Sequence, residues 1–424
     1  MRQLIFFLSA LTIAASNAVA MPEAAVRALS LAQAESLWQA ANPELRLARN
    51  AVAMAEADRL AADRGNNPQF SWSGTSINPR TGIGAGPVKD KSVDQVLHVE
   101  QLIERGDKRV LRTRAAEARA GAALRDADDV ARQGRIQLHF AYWDLHQAEE
   151  RERVSAAAAE LAVAALAAAE KRVKAGDLAP ADLARLSVDR LRAENDARTA
   201  VADRQKAQVG LAYLTGLRTE EASLTTSEDW PPLAALPSLK GPDIGQRADV
   251  RAAIARIVAA EAALAGARAL GSRDVTVGLQ YERYPPAGGL APNNTWGLSV
   301  SVPLFLAHTY EGEIARAEAD LDAAREQLAR IRALASGEIS QTRSTLAAAS
   351  DKRQRLDGGL LPAAETVAKA AEFAYLKGAS SLLEVIDARR TLRQIQQDAA
   401  AARADHAKAL SAWRFQTEPV AEAR

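Results

Sequence analysis

The sequence predicts a mainly α-helical chain with a small β part, built as a two-repeat arrangement of long α-helical hairpins plus four β-strands. Three observations carry that prediction. Of the 424 residues, 48% are hydrophobic but only 4% aromatic, so Ala supplies much of the apolar surface. Small side chains suit long helices packed at close range rather than thick globular cores. Between about Asp107 and Arg172 there is no Pro and little Gly. As one helix that stretch extends roughly 100 Å, beyond any crossover helix of a compact α/β domain.

The third observation is self-similarity. Leu45-Arg46 to Glu56-Ala57 matches Val250-Arg251 to Glu261-Ala262 at an offset of 205 residues, and Phe70-Ser71-Trp72 faces Val275-Thr276-Val277 at the same offset. Glu117-Ala118 matches Glu318-Ala319 at 201, and the run from Gly176 to Leu183 lines up with Gly378 to Val385 at 202. Ordered landmarks at nearly one offset define a repeated unit. The expected organisation is a signal peptide over 1–20, a first repeat over 21–229, a Pro-rich linker over 230–243, a second repeat over 244–417 and a tail over 418–424.

The elements follow in order. Arg2, the apolar run Leu4 to Ala15 and Ala18-Val19-Ala20 have the three parts of a secretory signal. A helix is expected from Leu31 to Ala62, kinked near Pro43 and ended by the breakers Gly65-Asn66-Asn67-Pro68. Phe70 and Trp72, then Val93, Leu97 and Val99, alternate with polar residues as strands do, although Val96 spoils strict alternation. The long helix follows, with bulky Ile136, Phe140 and Trp143 at helical spacing, and the turn Lys174 to Pro180 sends the chain back toward Leu214-Thr215-Gly216.

In the second copy the strands are cleaner. Val275, Val277, Leu279 and Tyr281 alternate with Thr276, Gly278, Gln280 and Glu282, and Trp296, Leu298, Val300 and Val302 with Gly297, Ser299 and Ser301. Strands of about ten residues cross a tilted outer-membrane wall. Trp72, Tyr281, Tyr284 and Trp296 lie where membrane-interface aromatics belong. On the strands alone, a small soluble antiparallel sheet fits equally well. The second hairpin turns around Lys377 to Ser381.

Several functions are excluded. A net charge of +1 offers no footprint for nucleic acid. Without Cys there is no disulfide, thiolate nucleophile or lipidated N-terminal Cys. Gly82-Ile83-Gly84-Ala85-Gly86 lacks the Lys-Ser/Thr and the strand-to-helix setting of a phosphate loop. His139 and His146, seven apart on one helix, are too distant to chelate one ion, and Met occurs only at 1, 21 and 54. Asp126, Asp128 and Asp129 fit no calcium loop and read as solvated. No catalytic residue, metal site or cofactor is expected.

Four strands cannot close a barrel, and an open sheet edge cannot face lipid. Three chains supply twelve strands and twelve long helices. The fold expected is therefore a homotrimer with a 12-stranded outer-membrane β-barrel above a 12-helix periplasmic α-barrel.

Tyr375-Leu376-Lys377-Gly378 followed by Leu382-Leu383-Glu384-Val385-Ile386-Asp387-Ala388 is similar to the second hairpin turn of the TolC-like outer-membrane efflux protein family, and the resemblance covers nearly the whole chain after residue 20. The run Gln101-Leu102-Ile103-Glu104-Arg105-Gly106-Asp107-Lys108-Arg109 resembles the segment after the second strand in its heavy-metal (cobalt, nickel, zinc, cadmium) resistance branch. It departs at Leu102, where Pro is common, and by Asp107. The resemblance implies a passive exit duct for divalent heavy-metal cations, docked to a periplasmic adaptor (membrane fusion protein) and through it to an inner-membrane resistance-nodulation-division pump. A multidrug or type I protein secretion duct is the alternative, and a soluble periplasmic coiled-coil adaptor a more distant one.

The resemblance also assigns residues. Glu384 and Asp387 match positions that ring the periplasmic aperture, and Asp182 and Tyr375 match positions that link neighbouring hairpins in the closed state. Lys174, Gly176, Lys377 and Gly378 fall at the adaptor-contacting hairpin tips. The family's gate has a basic residue where this chain has Ser380, so a latch through Lys377 is one possibility. Threefold symmetry would turn the two carboxylates into six, a ring that favours cations.

Overall fold

A computed structural model describes residues 28–417 except 76, 78–79, 81–86, 88–92, 177, 218–223, 234–242 and 285–292. The expected signal peptide, the Gly82 to Gly86 run, most of the linker and the tail lie outside the described residues.

The described residues open with a short strand β1 (Ala28–Leu29), then helices α1 (Leu31–Ala41) and α2 (Pro43–Ala62). Ser30 and Gln33 close a capping box on α1: Gln33 N–H donates to Ser30 Oγ at 3.2 Å, and Ser30 N–H to Gln33 Oε1 at 2.9 Å. The single kinked helix expected here is two helices. Asn42 ends α1 and caps α2, its Oδ1 accepting from Leu45 N–H at 3.2 Å, and Pro43 takes the first helical position, where it needs no donor.

Strands β2 (Gln69–Thr75) and β3 (Asp94–Ile103) follow, then α3 (Lys108–Lys174), α4 (Pro180–Thr215) and a short β4 (Thr225–Thr226). Helix α3 is continuous over 67 residues, as its composition predicts. The second repeat supplies α5 (Ala248–Ala269), β5 (Val275–Tyr284), β6 (Asn293–Ser301), α6 (Glu311–Arg355), a π turn (Leu356–Leu360), α7 (Leu361–Leu376) and α8 (Leu382–Thr417). The helix, strand, strand, long-helix order of the first half recurs in the second.

Both long helices leave the sheet through the same strained corner. Asp107 and Tyr310, which precede α3 and α6, have φ of 56° and 65°, a left-handed conformation rare for such residues. At the first corner, Lys108 Nζ donates to both oxygens of Asp274 at 2.8–2.9 Å, and Arg112 binds Glu104. Gly106 (φ 72°) is needed there, since a Cβ would lie 2.4 Å from Ser272 Oγ. The run Glu104 to Arg109 is thus a junction between the repeats.

The largest core lies midway along α3. Trp38, Leu138, Tyr142, Leu145 and Leu211 are almost completely buried there with Leu29 and Leu224. β1 and β4 pair in parallel over this cluster, a two-stranded element that residue pattern did not reveal. Tyr142 donates to Leu29 O at 2.8 Å, and burial pushes its phenol up to about 12. Elsewhere the buried residues are mostly Ala, which lets helices touch along their length.

Candidate functional site

Two regions have the geometry of a transport path: the sheet at one end of the helices and the hairpin turns at the other.

The sheet runs β2-β3-β5-β6, antiparallel throughout. Register sorts its residues by face. One transverse row is Phe70, Val99, Leu279 and Leu298; the next is Trp72, Leu97, Tyr281 and Trp296. All but Tyr281 are exposed, Leu298 at 75% and Trp296 at 71%. Tyr281 and Trp296 pack with ring centroids 5.0 Å apart. The opposite face carries Ser71, His98, Gln280 and Gly297 in one row, and Gln69, Glu100, Gly278 and Ser299 in another.

A soluble sheet would bury its apolar face under helices. This one leaves that face bare and puts His98, Glu100 and Glu282 on the other. Val96, which broke the alternation, sits on the polar face between Ser73 and Glu282. Tyr284 ends β5 beside Asn293 and donates to Glu282, so three expected interface aromatics share one apolar row, whereas the fourth falls on the polar face because it is an odd number of residues from Tyr281. β2 and β6 each keep one edge unpaired among the described residues.

At the other end, α3 and α4 meet at Gly176 (φ 83°), and α7 and α8 at Gly378 (φ 74°). Both glycines are in open space, so their requirement is conformational: each puts an αL residue after a helix, where a side chain would be strained. Gly378 N–H donates to Tyr375 O at 3.0 Å and Ala379 N–H to Ala374 O at 2.8 Å, the 6→1 closure of a Schellman turn. Lys174 ends α3, and Lys377 caps α7 with its Nζ 5.6 Å from the centre of the Phe373 ring.

Glu384 and Asp387 stand together on the exposed face of α8, while Val385 and Ile386 between them are buried against the first hairpin. Ser381 caps this helix, accepting from Glu384 N–H and donating to Glu384 Oε1, both at 3.3 Å. Asp387 has no ion-pair partner among the described residues. Within this chain the two expected link residues behave differently. Asp182 pairs with Arg185 on its own helix at 3.0 Å. Tyr375 instead accepts a hydrogen bond from Arg172 of α3 at 2.8 Å, the guanidinium lying 5.8 Å from its ring centre. At the tip, Arg172 rather than Lys377 makes the contact between the two hairpins of this chain. It sits in the last turn of α3, where nothing in sequence separates it from Lys171 or Lys174.

Further up, α8 is held to the first hairpin by oriented charge. Arg390 pairs with Asp189 at 2.8 Å, Arg393 with Asp196 at 3.0 Å and Arg403 with Glu150 at 2.7 Å. Between the hairpins lies a cleft of about 830 Å³ lined by Leu161, Ala165, Leu186, Tyr375 and Ile386.

The other sequence candidates are structural. His139 is buried between Glu35 (2.7 Å) and Ser411 (3.0 Å), and its bond holds the Glu35 carboxyl below its usual range. His146 contacts Thr226 Oγ1 at 2.7 Å and packs on Trp230. Asp126, Asp128 and Asp129 are paired with Arg256, Arg125 and Arg132 rather than free in solvent. No group of three metal-ligating side chains occurs among the described residues. None of their helices is long and apolar enough to span a membrane.

A bare apolar face backed by a polar one, on strands of seven to ten residues, with two open edges among the described residues and a paired-hairpin stalk, is the pattern of an outer-membrane channel subunit. Residues 244–414 match the outer membrane efflux protein family. The cobalt-zinc-cadmium resistance protein CzcC of Cupriavidus metallidurans is 28% identical over 297 residues, covering 69% of each chain. A membrane protein from Pseudomonas aeruginosa has the same fold (TM-score 0.77, 18% identity, 92% of this chain and 93% of that one). So does the Campylobacter jejuni CmeC outer membrane channel (TM-score 0.74, 17% identity, 91% and 85%). The match to the outer membrane efflux protein family covers the second repeat, and together with these relatives it supports an efflux exit duct rather than an enzyme.

Proposed function

We propose that three copies of this chain form the outer-membrane duct of a tripartite resistance-nodulation-division efflux system and pass divalent heavy-metal cations outward. The observation that carries the reading is the two-faced sheet with unpaired edges. Strand β6 runs antiparallel to β2, so β6 of one copy can pair with β2 of the next and keep the alternation around a 12-stranded ring. The apolar rows then meet lipid, with Trp72, Tyr281 and Trp296 facing the membrane, while Tyr284 and the polar rows line the pore.

Below the membrane the hairpins form the helical tube. Glu384 and Asp387 ring its narrow end, with Tyr375 and Asp182 beside them, and Lys174, Gly176, Lys377 and Gly378 meet a periplasmic adaptor. The family works with an adaptor and an inner-membrane pump. Likeness to a cobalt-zinc-cadmium resistance protein supports metal cargo, as does an aperture of carboxylates. Such a ring lowers the energy of a passing cation without holding it. Energy comes from the pump. Export by the segment 1–20, and anchoring by the barrel instead of a lipid, belong to the same reading.

The test is a deletion strain challenged with Co, Ni, Zn and Cd salts beside a panel of organic toxins. Sensitivity confined to the metals is expected; sensitivity confined to organic compounds would overturn the metal reading and leave the duct. Quantitative recovery in the soluble periplasm would defeat the duct itself.

A further inference from the structure

The long helices of the two repeats differ at one place. Helix α3 is unbroken, whereas its counterpart is divided by the π turn Leu356–Leu360, which holds Gly358-Gly359 and is followed by Pro362. π turns and Gly pairs are the usual bending points of long helices. A Cβ at either glycine would meet nothing within 4 Å, and neither has positive φ. Packing and backbone geometry therefore do not require glycine here, and its presence weakens the helix.

One carboxylate clamps this weak point. Asp357 Oδ2 accepts from Arg353 Nε at 3.2 Å, and Oδ1 accepts from Arg403 Nε of α8 at 3.0 Å. Arg353, itself buried, donates to Pro231 O at 2.6 Å and to His406 Nδ1 at 3.0 Å. Arg403 also donates to Glu150 of α3 at 2.7 Å, and the other Glu150 oxygen accepts from the Trp230 indole at 2.8 Å. Asp357 thus gathers the turn, α8, the inter-repeat segment and the first repeat. Beyond it α7 runs 16 residues to the tip. That is a lever of about 24 Å, so a bend of about 10° moves the tip by about 4 Å.

We propose that Asp357 is a positioning residue for the aperture. With both guanidiniums engaged it holds the α7–α8 hairpin against α3. When they are released, the Gly358-Gly359 turn bends and carries Glu384 and Asp387 off the axis. The inference rests on the aperture reading above. It predicts opposite effects at neighbouring positions: loss of the Asp357 charge frees the hairpin, while replacing the glycines stiffens it.

The experiment is single-channel recording of the purified full-length protein in planar bilayers. Asp357→Asn should raise the conducting fraction by about tenfold, the worth of one charge-assisted hydrogen bond, and Asp357→Glu should restore the wild-type value. Gly358→Ala with Gly359→Ala should lower the fraction. A fall in melting temperature for Asp357→Asn with unchanged conductance would assign the residue a structural role only and overturn the proposal. If that variant does not fold, the alanine pair decides, and wild-type conductance there overturns it equally. Glu384→Ala with Asp387→Ala separates the two readings: it should change ion selectivity and not the conducting fraction. Unchanged selectivity alongside a responsive Asp357 series counts against the carboxylate ring alone.

Discussion

Arg172 and Tyr375 show how one hydrogen bond can matter at a narrow point. The pair is exposed, so solvent and salt screen it and its worth is of order 1 kcal/mol. Tyr375→Phe keeps the ring beneath the guanidinium and removes only the acceptor oxygen. It should shift the closed population by up to about fivefold, read as a rise in conducting fraction in planar bilayers, and the shift should shrink at high salt. His406 makes a second prediction at this scale. It is buried beside Arg353, and burial first, then that positive charge, pushes its pKa down. His146 is lowered chiefly by burial as well. A group harder to protonate folded than unfolded penalises the fold as protons become available. The loss should begin as pH falls below about 6.5 and grow until the folded pKa is passed. Melting curves between pH 8 and 5 should show it, and His406→Gln should flatten part of the slope.

Among the elements, the strands give the sharpest prediction, because adjacent residues face different media. Leu298→Arg places a guanidinium on the apolar face, at a cost of about 2–4 kcal/mol near the middle of a bilayer, whereas Ser299→Arg points to the polar face and costs little. Membrane-inserted, heat-modifiable protein should fall sharply for the first and hold for the second, whose channel should instead lose cation preference. Equal yields would remove the assignment of faces. Much of this was legible beforehand: alternation in Val275 to Glu282, the Pro-free run after Asp107 and the glycines at both turns each report a local rule. The failures were non-local. Asn42 splits the first helix because its side chain serves as a cap, which the Pro43 signal alone does not tell. β1 and β4 are two residues each and exist only because the Trp38 and Tyr142 cluster gathers them. The π turn sits in a stretch whose Gly pair and Pro362 were visible but carried no register. Arg172 found Tyr375 about 200 residues away.

At the scale of the whole molecule, the ring join is open to a direct test. The chain has no cysteine, so introduced thiols have no native competitor. One Cys on β2 at Ser71 and one on β6, scanned from Gly297 to Ser301, should give oxidised species at three chain masses for one register of the scan. Dimers or mixed ladders at every position would argue against a closed ring. Recording the same material before and after reduction tells whether the join is compatible with conduction.

The unpaired edges of β2 and β6 also govern how the protein comes into being. A lone chain can complete its Trp38 core, its helices and its four-stranded ribbon, but it still presents two backbone edges and a bare apolar face to water, the features that template aggregation. On the three-copy reading, productive assembly needs encounters with two further copies, so its yield climbs steeply with concentration while unspecific strand pairing competes throughout. On that reading the interval between export and ring closure is the vulnerable stage, when both strand edges and the apolar face are open to the wrong partner.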